Sequence, residues 1–76
     1  MLIQILGSGC AKCRQLYDHT TEAVKQAGIS VDIQKVEKIN EIMKFGVPFT
    51  PAIVIDGVVK AYGKVLSVDE IKGLIS

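Results

Sequence analysis

One pair of cysteines, in the segment Cys10-Ala11-Lys12-Cys13, holds the most reactive side chains of this 76-residue sequence. Two cysteines at this spacing, at the start of a helix, can close into a disulfide with little backbone movement. A helix N-terminus carries about half a positive charge and unpaired N–H groups, which favour a thiolate over a thiol. We therefore predict thiol–disulfide exchange, with Cys10 as the exposed nucleophile and Cys13, one turn further on, as the shielded resolving thiol.

Four other residues of the first helix, near the cysteine pair, carry side chains that could affect its chemistry. Lys12 and Arg14 place positive charge beside the cysteines, so we expect them to tune the pKa of Cys10; alternatively, both are ordinary solvated helix residues. His19 is expected on the polar surface of the helix. Tyr17 follows the apolar stripe and is expected in the core.

Two other uses of the cysteines compete with redox chemistry. A structural disulfide across so short a loop would stabilise the fold by only about 2 kcal/mol, against about 3 kcal/mol for a fifteen-residue loop. A metal site usually needs four ligands, and His19 lies about two turns beyond Cys13, too far along the helix to share an ion. We expect no metal and no cofactor, and a metal shared between two chains stays an alternative.

Length and composition limit the class of protein. A chain of 76 residues holds one domain, residues 1–76, and its 49% hydrophobic content argues against disorder. The 9 basic and 8 acidic residues nearly cancel, so they give no strong electrostatic field that would attract nucleic acid. The sequence has no Trp and offers no aromatic surface on which bases could stack. No basic leader or long apolar run is present, so we expect no membrane association, a cytoplasmic location with reduced thiols, and a monomer.

The hydrophobic pattern predicts seven elements in the order β-α-β-α-β-β-α. Strands are expected at residues 2–6, 31–36, 52–55 and 58–62, and helices at 11–27, 37–45 and from 68 onward. Gly28 should end the first helix, Asp56-Gly57 should form a hairpin turn, and Ser67 with Glu70 should cap the last helix. Two helices should bury apolar stripes: Ile39, Ile42 and Met43 in the second, and Val68, Ile71, Leu74 and Ile75 in the third.

These elements predict an α/β fold. The first β-α-β unit must cross over right-handed, which makes its two strands parallel neighbours, and the hairpin adds an antiparallel pair. The result is a four-stranded mixed sheet flanked by three helices.

The chain resembles the small redox-active-disulfide proteins of archaea and bacteria, glutaredoxin-sized members of the thioredoxin-fold superfamily. The resemblance covers about residues 1–75, and its residues are Ile3, Ile5, Gly7, Gly9, Cys10 and Cys13, then Thr50-Pro51 and Asp56-Gly57. It implies a minimal thioredoxin fold and a protein disulfide oxidoreductase. It also implies a cis Pro51 facing the cysteines, where an ordinary trans loop proline is the alternative.

The resemblance further implies how partners are bound. Thr50 and Pro51 would bind an extended segment of a partner protein through the Thr50 backbone. The expected partners are protein disulfides and an unidentified reductase.

Some features depart from related families. The Trp and the Gly-Pro dipeptide of the thioredoxin active site are absent, and the first strand offers only Gln4 where thioredoxins bury an acid. Residues 63–67 do not reproduce the glutathione-binding pattern of glutaredoxins, so glutathione is not expected as a substrate. The alternatives are a small metal-binding module, like the copper chaperones with their β-α-β-β-α-β order, and a redox-sensing docking domain.

Overall fold

A computed structural model describes residues 1–75 of the chain. The elements, in order, are β1 (Leu2–Leu6), α1 (Ala11–Ala27), β2 (Asp32–Val36), α2 (Ile39–Lys44), β3 (Ala52–Ile55), β4 (Val58–Tyr62) and α3 (Val68–Ile75). The strands form one sheet in the order β2-β1-β3-β4, with β1 parallel to β2 and the other two pairings antiparallel. The predicted α/β fold, a minimal thioredoxin fold with a four-stranded mixed sheet and three helices, is confirmed.

The two central strands bury side chains on both faces of the sheet. On one face Ile3 and Ile5 of β1 and Ile53 and Ile55 of β3 pack with residues of α1 and α3. On the other face Leu6, Ala52 and Val54 pack with Ile42 of α2. Because side chains alternate along a strand, an uninterrupted apolar sequence such as that of β3 is what a doubly covered strand requires.

The predicted end of the first helix, the hairpin turn and the cap of the last helix are confirmed. Gly28 adopts the left-handed conformation after α1, with φ 68°. Asp56 and Gly57 both have positive φ, as a two-residue hairpin turn requires. The Ser67 hydroxyl accepts the Glu70 N–H at 3.1 Å, while the Glu70 carboxylate accepts the Ser67 N–H at 3.2 Å, which is the reciprocal capping box.

Two predicted apolar stripes are less buried than expected. In α2, which is shorter than predicted, Ile42 is buried but Ile39 and Met43 are 68% and 69% exposed. In α3, Leu74 is 37% exposed and is not part of the core. A helix of six residues presents little more than one side chain to the sheet, so its neighbours on the helix surface stay in solvent.

Two smaller expectations are also revised. His19 is half-buried, because its Nδ1 forms a 2.8 Å hydrogen bond with the Leu66 carbonyl, which joins α1 to the segment before α3. Val31 lies just outside β2 and is partly buried against the core. No helix in residues 1–75 is long and apolar enough to cross a membrane.

Candidate active site

The two cysteine side chains meet at the N-terminus of α1. Cys10 is the N-cap residue, with extended backbone geometry (φ −71°, ψ 167°), and its carbonyl accepts the first helical hydrogen bond, from the Arg14 N–H at 3.0 Å. The sulfurs of Cys10 and Cys13 are 2.9 Å apart, and both thiols are free. Cys10 is exposed whereas Cys13 is only 6% exposed, which is the division that the sequence predicts.

The protonation of the pair is asymmetric. The pKa of Cys10 is lowered, first because the Cys13 thiol donates a hydrogen bond to its sulfur and next because the backbone N–H of Cys13 lies near it. The pKa of Cys13 is raised, chiefly because burial disfavours its charged form and also because it shares its proton with Cys10. The pair therefore favours a thiolate at Cys10 and a thiol at Cys13.

Gly7, the residue that follows β1, makes room for the buried sulfur. A side-chain Cβ at this position would overlap the Cys13 Sγ and would lie 3.0 Å from the Cys13 Cβ. The Gly7 backbone is not in the left-handed region, so the requirement for glycine is one of space and not of conformation. Gly7 therefore lies in the candidate site although it has no reactive group; the sequence indicates it as a residue of the family resemblance but gives no reason for a glycine there.

The Thr50-Pro51 segment lies close to the same side of Gly7. A Cβ on Gly7 would be 3.9 Å from the Thr50 Cβ as well as overlapping the Cys13 Sγ, so Thr50 and the Cys13 sulfur lie near one point. The peptide bond between Thr50 and Pro51 is cis, as the resemblance implied. Pro51 is buried and its carbonyl accepts the Gly63 N–H at 2.8 Å, whereas Thr50 is exposed. The fold thus brings the segment and the cysteines, about forty residues apart in sequence, to one place.

Comparison with known proteins identifies the family. The Thioredoxin domain family model matches residues 1–76. The chain is 40% identical over 76 residues to a thioredoxin of Methanothermobacter thermautotrophicus, covering 100% of this chain and 99% of the relative. It is 43% identical over 72 residues to a thioredoxin of Methanocaldococcus jannaschii, covering 95% of this chain and 83% of the relative. The chain belongs to the thioredoxin family.

Family membership and the paired sulfurs together establish the class of reaction. The chain is a thiol–disulfide oxidoreductase of the thioredoxin family, and its partners are protein disulfides. The observed element order also differs from the β-α-β-β-α-β order of the copper chaperones.

The basic side chains beside the cysteines are both exposed. Lys12 follows Cys10 by two residues on the first turn of α1, and Arg14 lines a cleft next to Cys13. The backbone N–H of Lys12 is a further cause of the lowered pKa of Cys10. An effect of the Lys12 and Arg14 side-chain charges on that pKa stays a prediction.

Phe49 is a candidate site residue that the sequence reasoning missed. It directly precedes Thr50, is 66% exposed, and packs over Gly63, where an added Cβ would be 3.4 Å from the Phe49 Cβ. An aromatic residue held on the surface next to Thr50-Pro51 offers apolar contact area to a docking protein. The available sequence signal was its position in the Pro48-Phe49-Thr50-Pro51 loop.

Proposed function

We propose that Cys10 attacks the disulfide of a partner protein and that Cys13 then resolves the mixed disulfide. The attack of the Cys10 thiolate forms a bond to one partner sulfur and releases the other as a thiol. Cys13 next forms a bond to Cys10 and releases the second partner sulfur. The partner gains two electrons, and the C-x-x-C dithiol becomes a disulfide.

The observation that carries these roles is the contrast between two sulfurs 2.9 Å apart. The exposed sulfur has the lowered pKa and can reach a partner, while the buried sulfur has the raised pKa and can reach only its neighbour. Thiolate character and access together decide which thiol attacks.

We also propose that Thr50 and Pro51 form the binding surface for the partner. Within residues 1–75 neither the N–H nor the C=O of Thr50 takes part in a backbone hydrogen bond, and the residue is exposed. An extended peptide segment can therefore pair with Thr50 in the manner of an added strand. Buried Pro51 would hold the segment beside Gly7 and Cys13.

The remaining sequence predictions are part of the same proposal. Residues 1–76 would act as a single domain and a monomer in the cytoplasm. A reductase of unidentified type would return the active site to the dithiol, glutathione would be a poor substrate, and Lys12 and Arg14 would assist ionisation of Cys10. Their exposed positions on the first turn of α1 are compatible with that role.

Reduction of insulin disulfides, with dithiothreitol as the electron source, tests the two cysteine roles. Cys10→Ser should abolish the acceleration over dithiothreitol alone, because no attacking sulfur remains. Cys13→Ser should attack once and stop, leaving a mixed disulfide that is visible on a non-reducing gel. Normal insulin reduction by both variants would contradict the proposal.

The trapping variant also identifies partners. Cys13→Ser protein, bound to a resin and incubated with cell extract, should retain proteins that dithiothreitol releases. The double variant Cys10→Ser/Cys13→Ser is the matched control and should retain none of them.

A further inference from the structure

A cleft of about 200 Å³ opens beside the buried sulfur of the active site. We call it the Cys13 cleft. Its lining comes from α1, from β1 and the turn that follows it, and from the end of β2 and the residue after it. The lining side chains with polar or reactive groups are Cys13, Arg14, Tyr17, Lys35 and Glu37. A cleft of this size has room for several water molecules, since one water needs only about 10–15 Å³ of such volume.

The backbone fixes the position of Glu37 relative to the cysteine. The Gly7 N–H donates to the Val36 carbonyl at 2.9 Å, so Glu37 follows directly after the residue that is bonded to Gly7. Gly7 in turn is the residue against which the Cys13 sulfur packs. Glu37 is itself exposed, so its carboxylate can exchange protons with bulk water.

The second half of the reaction creates a need for a proton acceptor. In the free dithiol the two sulfurs are 2.9 Å apart, so a Cys10 thiolate can accept a hydrogen bond from the Cys13 thiol. Once the Cys10 sulfur is bonded to a partner, it no longer offers a thiolate to accept that proton. Cys13 must lose the proton before it attacks, and its sulfur is almost closed to solvent.

The chemistry of the cleft leaves one acceptor. Arg14 and Lys35 are cations that only donate hydrogen bonds, and Lys35 Nζ lies over the Tyr17 ring, 4.5 Å from its centre. Among the residues that line the cleft in the described part of the chain, Glu37 is the single carboxylate. The geometry points to Glu37 as the group that accepts, through water in the Cys13 cleft, the proton that Cys13 loses when it attacks Cys10.

This step rests on the proposed roles of the two cysteines. Its bonds, electrons and protons all balance. The Cys13 S–H bond breaks and an O–H bond forms on Glu37. The new bond between Cys13 and Cys10 displaces the partner sulfur as a thiolate, which takes a proton from solvent. Exposed Glu37 then returns its own proton to solvent.

Neutralising Glu37 changes the rate of resolution in opposite directions for the two possible roles, a proton acceptor and a purely electrostatic charge. Removing the negative charge of Glu37 would by itself favour the Cys13 thiolate, because the remaining charges that line the cleft, Arg14 and Lys35, are positive. A purely electrostatic role therefore predicts faster resolution when Glu37 is neutralised. An acceptor role predicts slower resolution.

The reagent 5,5′-dithiobis(2-nitrobenzoate) allows the two steps to be followed separately in a stopped-flow instrument. The first release of nitrothiobenzoate reports attack by Cys10, and the second reports resolution by Cys13. For Glu37→Gln we expect the second release to slow about tenfold near neutral pH, since positioned bases contribute up to about 10²–10⁴-fold. The first release should keep its rate, and the difference should vanish at alkaline pH, where hydroxide removes the proton.

Controls make each result decisive. Glu41→Gln makes the same change at an exposed carboxylate in α2, outside the cleft, and should leave both releases unchanged. Glu37→Asp keeps the carboxylate and should retain most of the second rate, while added acetate should restore part of it in Glu37→Gln. An unchanged or faster second release in Glu37→Gln, or an equal slowing of both, would overturn the role of Glu37. Failure of the wild-type protein to show two releases would contradict the cysteine roles instead.

Discussion

The sulfur of Cys13 packs against the α-carbon of Gly7, in space that any larger residue would fill. Gly7 is buried directly after the central strand β1, and its N–H donates to the carbonyl of Val36 in β2. The glycine therefore cannot move away from the sulfur without breaking a sheet contact. This contact sets the depth of the Cys13 thiol.

Gly7→Ala should consequently impair both stability and resolution. The added methyl group must displace the Cys13 side chain or the strand, and overpacking of this kind costs about 1–3 kcal/mol. Urea unfolding should show this loss, and the second release of nitrothiobenzoate should slow. Gly73→Ala is the matched control: it lies in α3 with no atom within 4 Å of the added Cβ and should stabilise by about 0.4–1 kcal/mol. Equal stability of the two variants would show that the contact is not tight.

The ionisation of Cys10 should depend on its partner thiol. The largest cause of its lowered pKa is the hydrogen bond from Cys13, so Cys13→Ala should raise the pKa of Cys10. The thiolate would then form only at higher pH, and the midpoint of iodoacetamide alkylation against pH should move upward. Cys13→Ser keeps a donor and should move the midpoint less. A midpoint that is the same in Cys13→Ala and wild type would contradict this origin of the shift.

The side chains of Lys12 and Arg14 can be tested by the same alkylation. Lys12→Gln and Arg14→Gln each remove a positive charge near the sulfurs, so each should raise the pKa of Cys10 and move the midpoint upward at low salt. Lys25→Gln, in the last turn of the same helix, is the control and should have no effect. Because exposed charges are screened, the differences should shrink in 1 M salt. No movement in either variant would show that both are ordinary surface residues.

The sequence was sufficient to predict the elements whose faces are covered by other elements. The uninterrupted apolar run of β3, which is buried at every residue, and the long apolar stripe of α1 each have a single packing solution, so the hydrophobic pattern identified them. In α2 the same reasoning placed Ile39 and Met43 on one face with Ile42. Periodicity shows which residues share a face but not whether another element covers it, and here two of the three are exposed.

The site was predictable where it depends on local chemistry. Cys10 and Cys13 lie within one helical turn, so their exposure and burial follow from the helix. The role of Gly7 and the position of Glu37 depend instead on the register of β1 beside β2, in which Leu6 pairs with Val36. A single sequence predicts that the strands are neighbours but does not give this register, so neither residue could be assigned.

The capping box of α3 should contribute measurably to stability. Ser67→Ala removes the acceptor for the Glu70 N–H and should cost about 1 kcal/mol in urea unfolding at neutral pH. The pKa of Glu70 is lowered by the Ser67 backbone N–H and then by its hydroxyl, so the charged form is favoured in the folded state. This contribution is complete above the ordinary Glu value of about 4.3 and is lost as the pH falls through the lowered value. Thr21→Ala, at an exposed hydroxyl within α1, is the control, and an equal loss in both variants would contradict a specific cap.

Phe49 should matter for protein substrates and not for small ones. Its exposed ring beside Thr50 offers apolar area to a docked protein, while a small reagent needs only the Cys10 sulfur. Phe49→Ala should therefore raise the KM for insulin severalfold and leave the rate of the first nitrothiobenzoate release unchanged.

Met43→Ala provides a matched comparison for Phe49→Ala, because Met43 is 69% exposed and equally apolar but lies on α2 and not in the Thr50-Pro51 loop. If partners dock through that loop, Met43→Ala should leave the KM for insulin near the wild-type value. A similar rise in both variants would mean that any exposed apolar residue contributes. A slower first release in Phe49→Ala would instead indicate that the ring acts by holding the active site together.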